Sequence, residues 1–116
     1  MQAMRPIIMA APMMLAIVSA AVAQTISVPS DPRARYEAVS VDKRRDGLVE
    51  IITRRQGPSG TSFARREVDC RRRLFRYIGE GDTLEQAKRP APNPGQMAAL
   101  MEGSISWHVV QFACRR

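Results

Sequence analysis

Ser62-Phe63-Ala64-Arg65-Arg66-Glu67-Val68-Asp69-Cys70-Arg71-Arg72-Arg73-Leu74-Phe75-Arg76-Tyr77-Ile78 is the stretch whose reading decides the fold. In its first half Ala64, Val68 and Cys70 share one parity, and Arg65, Glu67 and Asp69 share the other. A period of two describes a strand with one face toward a core and one toward water. The alternation blurs at Arg71-Arg72-Arg73, after which Phe75 and Tyr77 fall on the formerly charged face. The whole run is also long for a single strand, so a bulge or bend is expected at the arginines, giving two strands or one bent strand.

The flanks extend this β reading. Upstream, Tyr36 to Val41 alternates, with Val39 and Val41 on one face, and Leu48 to Thr53 is apolar on both faces. Asp46-Gly47 between them is a hairpin signal, which makes Leu48–Thr53 the more central strand. Gly57-Pro58-Ser59-Gly60 is a second turn. Downstream, Gly79-Glu80-Gly81 reads as a strand break. Asp82 and Glu85 then have capping-box spacing and predict a short helix to about Lys88. Pro90 to Pro94 is an extended loop. Gln96 to Glu102 reads as a second short helix, with Met97, Leu100 and Met101 on one side and Gly103 as its stop. Ser104 to Cys114 alternates with one slip and reads as a final strand. The expected class is α+β: a small antiparallel β-sheet with one or two short flanking helices and one disulfide.

The start of the chain sets the compartment. One charge, Arg5, precedes an uncharged run from Pro6 to Val22, which ends in Ala21-Val22-Ala23. A charged start, an apolar middle and small residues at the cleavage positions form a secretory signal peptide, residues 1–23. The alternative is a membrane anchor, but Pro12 interrupts the run, and a spanning helix needs roughly 20 apolar residues. No later stretch is apolar enough to span, so no transmembrane segment is expected after cleavage. Residues 24–35, with Pro29, Asp31 and Pro32, read as a flexible N-terminal segment. Residues 36–116 read as a single domain, with a periplasmic or extracellular location.

Both cysteines of the chain, Cys70 and Cys114, lie in the exported part. An even pair in an oxidising compartment reads as a disulfide, which suits a domain too small to bury much surface. A metal site is not expected, because two cysteines and the distant His108 fall short of a ligand set.

The chain carries 18 Lys and Arg against 11 acids, a formal net charge of +7. Six arginines (Arg65, Arg66, Arg71, Arg72, Arg73 and Arg76) face only two acids within residues 65–76. Guanidinium forks bind carboxylate, sulfate and phosphate in bidentate fashion, so these six form the candidate anion-binding face. The competing reading is a solvated strand face whose arginines pair across strands with Glu37, Asp42 or Glu50. Export argues against nucleic acid as the anion and toward polyanionic glycans or lipopolysaccharide. No catalytic motif is present. His108 shares strand parity with Ser104 and Ser106, yet nothing in the sequence aligns a triad. Neither catalytic residues nor a cofactor are expected.

The run Ser62 to Cys70, the basic and aromatic Arg72 to Tyr77, and the late Cys114 resemble the surface-adhesin protein E family of secreted bacterial proteins. The likeness covers about Val39 to Cys114. It implies a small antiparallel sheet with flanking helices and binding to host extracellular-matrix proteins. Two features depart from that pattern: Gln24 stands where a lipid-anchored member has cysteine, and Trp107 lies late in the chain. The expectation is therefore an exported, non-enzymatic, adhesin-like protein with a basic face. The alternative is a periplasmic envelope protein that binds anionic lipid or polysaccharide.

Overall fold

The computed structural model describes residues 3–7, 10–12 and 23–115. Most of the expected leader therefore lies outside the described residues. Six strands follow in chain order: β1 Gln24–Ile26, β2 Arg35–Lys43, β3 Val49–Gly57, β4 Gly60–Asp69, β5 Leu74–Gly81 and β6 Ala98–Ala99. They form one antiparallel meander in the order β1-β2-β3-β4-β5-β6. Two helices complete the fold, α1 Leu84–Lys88 and α2 Ile105–Cys114. The expected class is the observed one, down to the disulfide between Cys70 and Cys114.

The turns form where the sequence places them. Gly47 has φ +86° in the β2–β3 turn, a conformation that glycine adopts without steric cost. Pro58-Ser59 alone joins β3 to β4, with Gly57 opposite Gly60. The long stretch resolves into two strands, β4 and β5, with the break at Cys70–Arg73. Arg73 there has φ +54°, the only positive φ at a non-glycine position among the described residues.

Arg65 and Arg66 are adjacent in β4, so their side chains point to opposite faces of the sheet. Arg65 reaches the Ala87 carbonyl of α1, whereas Arg66 reaches Ser106 of α2. The two helices thus cover opposite faces. The core lies under α2, where Ile26, Tyr36, Ala38, Val49, Ile51 and Val68 pack against Val109, Val110 and Ala113. A bulge at Val39 lets Val41 join Tyr36 and Ala38 on this face, despite their different parity.

Five expectations need correction, the strand break at Gly79–Gly81 among them. Residues 104–114 form a helix, not a strand. Ser104 caps it by accepting from the Trp107 N–H at 3.1 Å, and Ser106, Val109, Val110 and Ala113 are its buried positions. That spacing of i, i+3, i+4 and i+7 is helical, and the β-branched and aromatic residues between them imitate alternation. Residues 96–102 contain no helix; Ala98–Ala99 instead pairs with the start of β5. Gly95 and Gly103, at φ +75° and +81°, bracket a segment too short to sustain a helix alone. The cap of α1 is Thr83 with Gln86, one residue beyond the Asp82–Glu85 pair of the same spacing. Segment 24–35 supplies β1 and buries Ile26 and Val28 in the core.

Gly79 and Gly81 do not break the strand; both belong to β5. They permit the close approach of α1, since a Cβ on Gly79 would lie 1.9 Å from the Ala87 carbonyl oxygen. Gly79→Ala is therefore expected to lose about 3 kcal/mol, the upper end of overpacking effects. A lower urea midpoint with an unchanged slope would verify this, and an unchanged midpoint would refute it.

Candidate anion-binding site

The six arginines of the candidate face do not act together, because the fold divides them among three environments. Arg65 and Arg76 lie on the α1 face and are committed to partners. Arg65 donates to the carbonyls of Ile78 and Ala87, both at 3.0 Å, and to Glu50 at 3.0 Å. Ile78 is the extra residue of a bulge in β5, which frees its carbonyl from the ladder. Arg65 thereby fastens the C-terminal end of α1 to the sheet. Arg76 pairs with Glu67 at 2.7 Å and donates to the Gly95 carbonyl.

These pairs belong to a lattice that organises the α1 face. Glu50 and Glu67 are directly opposite in β3 and β4, where like charges repel. Arg44 reaches both, at 3.8 and 2.6 Å, and also holds Asp46. Its hydrogen bonds to Asp46 and Glu67 push its own pKa further up. Glu37 is shared between Arg35 and Arg54. Of the acids proposed as cross-strand partners of the six arginines, Glu50 serves Arg65, Glu37 pairs instead with Arg35 and Arg54, and Asp42 makes no ion pair among the described residues. Both faces are buried around Arg66–Val68, so Glu67 is not the solvated charge that alternation predicts.

Arg66 is the second environment. It lies on the α2 face, 3 % exposed, and donates to hydroxyls of Thr53, Ser106 and Tyr77. It is not a surface cation.

The third environment is the β4–β5 turn. Arg71, Arg72 and Arg73 are exposed and make no ion pair among the described residues. The Asp69 carboxylate accepts from the backbone N–H groups of Arg71 and Arg72, which fixes the turn. Strand directions put this turn beside the β2–β3 turn at one end of the sheet. A groove of about 490 Å³ separates them, lined by Asp46, Gly47, Leu48, Asp69, Arg71 and Arg72. Both acids in this groove are engaged, Asp46 by Arg44 and Asp69 by backbone.

Three further cations belong to this end. Lys43 and Arg45 flank the neighbouring turn, and Arg115 follows Cys114, which is bonded to Cys70. All three are exposed and lack an ion-pair partner among the described residues. With Arg71–Arg73 they form a basic pole of six cations, beside which Asp42 and Asp69 are the acids without an ion-pair partner among the described residues. These three lie outside the Arg65–Arg76 stretch that the sequence singles out. The cysteine pairing was the available signal, since it brings Arg115 next to the arginine turn.

A separate cluster joins the N-terminal segment to β3. Asp31 accepts from Tyr36 Oη at 2.6 Å and from Arg55 Nε at 3.0 Å, which lowers its pKa. Asp46 is held low by Arg44 and by the Leu48 N–H. In both cases the unfolded chain binds protons more readily than the folded one, so stability present at neutral pH is lost as pH falls. The loss is expected below about pH 4, the ordinary aspartate range. Asp31→Asn should flatten the dependence of Tm on pH there, and a variant with an unchanged acid limb would refute this assignment.

His108 lies in α2 with its ring edge-on to Trp107, centroids 4.9 Å apart. The helix keeps it one turn from Ser104, whose carbonyl accepts from the His108 N–H at 3.2 Å, and places the buried Ser106 on a different face. Comparison with protein-family models, curated proteins and solved structures finds no match to this chain.

Proposed function

We propose that the exported chain is a non-enzymatic, adhesin-like binding module that attaches by its basic pole to a polyanionic surface. The observation that carries this reading is the convergence on one end of the sheet of six exposed cations without an ion-pair partner among the described residues, held there by two turns and the disulfide. Asp42 and Asp69 are the acids at the pole without an ion-pair partner among the described residues, so its six cations outnumber them by four. Arg73 adds a second support. Its left-handed backbone suits glycine and costs about 1 kcal/mol for other residues, yet an arginine occupies it. Candidate surfaces are sulfated or phosphorylated glycans, lipopolysaccharide, and acidic regions of extracellular-matrix proteins. Location in the periplasm or outside the cell belongs to the same proposal.

The test is retention of the oxidised protein on heparin and on vesicles of anionic or neutral phospholipid, measured against salt. Binding to the anionic supports should fall steeply as the Debye length shrinks from about 10 Å at 0.1 M to about 3 Å at 1 M. Salt-insensitive binding, or none at physiological salt, overturns the proposal. Parallel assays on immobilised matrix proteins separate the adhesin from an envelope protein that meets its polyanion in the periplasm.

A further inference from the structure

Among the described residues Arg66 is the most buried arginine of the sheet and the one that holds no carboxylate. Arg44, Arg54, Arg65 and Arg76 have side chains 28, 36, 17 and 31 % exposed, and each holds an acid. Arg66 is 3 % exposed and holds none. Its partners are neutral: Ser106 Oγ at 3.2 Å from Nε, Thr53 Oγ1 at 3.0 Å from Nη1, and Tyr77 Oη at 3.0 Å from Nη2. The Tyr77 ring lies 4.6 Å from the guanidinium carbon and offsets part of the desolvation. A buried charge is ordinarily paired with an opposite one, and hydroxyl dipoles supply no counter-charge. The hydrogen bonds among the described residues use three of its five N–H groups, leaving one on each terminal nitrogen.

A cleft of about 190 Å³ opens onto this guanidinium from the α2 face of the sheet. The strand register explains the hollow. Ala64 lies between Arg66 and Ser62 on β4, opposite Thr53 on β3, and its methyl group leaves the floor low. Tyr36, Arg55 and Tyr77 form walls, and Ile105 closes the side below the start of α2. Glu80, exposed and without an ion-pair partner among the described residues, stands at the rim. Arg55 is already held by Asp31 and Tyr36, so Arg66 carries the uncompensated charge.

We infer that this cleft is a binding site for the carboxylate of a small organic acid, received by the two remaining N–H groups of Arg66 above Ala64. A planar carboxylate matches the guanidinium fork and supplies the missing counter-charge. The volume is below the roughly 300–1,000 Å³ of sites for drug-sized ligands, which restricts the ligand to a few heavy atoms beyond its carboxylate. Glu80 at the rim favours ligands with a hydroxyl or ammonium group near the carboxylate over dicarboxylates. The site lies on the opposite end of the sheet from the basic pole and is independent of the polyanion proposal.

The experiment is a titration of the oxidised protein with acetate, lactate, glycine and inorganic phosphate, followed by amide chemical shifts at constant ionic strength. The expected result is saturable shifts at Thr53, Ala64, Tyr77 and Ser106 with at least one carboxylate. Ala64→Leu fills the cleft while leaving Arg66 and its hydroxyl partners in place, and should weaken that binding at least tenfold. Replacing Arg71, Arg72 and Arg73 should leave it unchanged. No saturable shift with any carboxylate overturns the inference, as does equal binding by Ala64→Leu. Phosphate binding in preference to every carboxylate overturns the assignment of ligand class.

Discussion

Replacing Arg71, Arg72 and Arg73 together by serine is expected to lower affinity for heparin about a hundredfold at physiological salt. The magnitude follows from the number of charges removed. A basic residue near an anionic surface contributes about 1 kcal/mol, and three give about 3 kcal/mol. None of the three makes an ion pair among the described residues, so their removal leaves no acid unpaired. Fold stability should change little, because the turn is fixed by Asp69 and the disulfide rather than by the guanidinium groups. The contrast variant is Arg65→Ser. It removes one charge but strips Glu50 of a partner and α1 of its fastening, so its cost should appear in Tm and hardly in heparin affinity. Equal loss of heparin affinity from either variant would mean that the charge acts diffusely over the molecule, without a pole. Arg73→Gly should raise stability by about 1 kcal/mol while losing one binding charge, since it relieves the left-handed backbone.

The difference between those variants is also where sequence reading reaches its limit. Alternation and turn chemistry are local, and they located the β2–β3 hairpin, the turn at Gly57–Gly60 and the break at the arginines, whereas the pairing of β4 with β5 needed the structure. They identified the arginine-rich stretch but not its division. Arg65 and Arg66 look alike in sequence, yet one spans the α1 face and the other is buried under α2. That assignment depends on helices that arrive about 20 and 40 residues later in the chain, and on the bulge at Ile78. The helix α2 imitates a strand for a related reason. Its buried stripe Ser106, Val109, Val110 and Ala113 includes a serine and an alanine, so hydropathy underrates it, while Ile105, Trp107 and Phe112 exaggerate the strand pattern. Tertiary packing decides such a segment. Likewise the glycines of β5 signal a close approach as readily as a turn, and only the position of α1 distinguishes the two.

The disulfide is the feature on which both the fold and the pole depend, and its removal should be the most damaging change to stability. Cys70 and Cys114 are 44 residues apart in sequence. Closing a loop of that length restricts the unfolded chain by about 4 kcal/mol in the chain-entropy picture. A small domain has roughly 5–15 kcal/mol in total, and one of this size lies toward the low end. Cys70→Ser with Cys114→Ser, or reduction of the native protein, should therefore lower Tm by about 20 °C. The link is also mechanical. It joins the end of β4 to the end of α2, the helix that contributes Val109, Val110 and Ala113 to the core. Without it, α2 is held by packing alone, and Arg115 is no longer fixed beside the arginine turn. Heparin affinity of the fraction still folded should then fall severalfold, the share of one cation of the six, rather than the hundredfold of the triple arginine variant. A melting curve unaffected by reductant would show that the core stands without the link. A reduced protein that kept its fold but lost heparin binding altogether would place the function in the disulfide itself and remove the additive account of the pole.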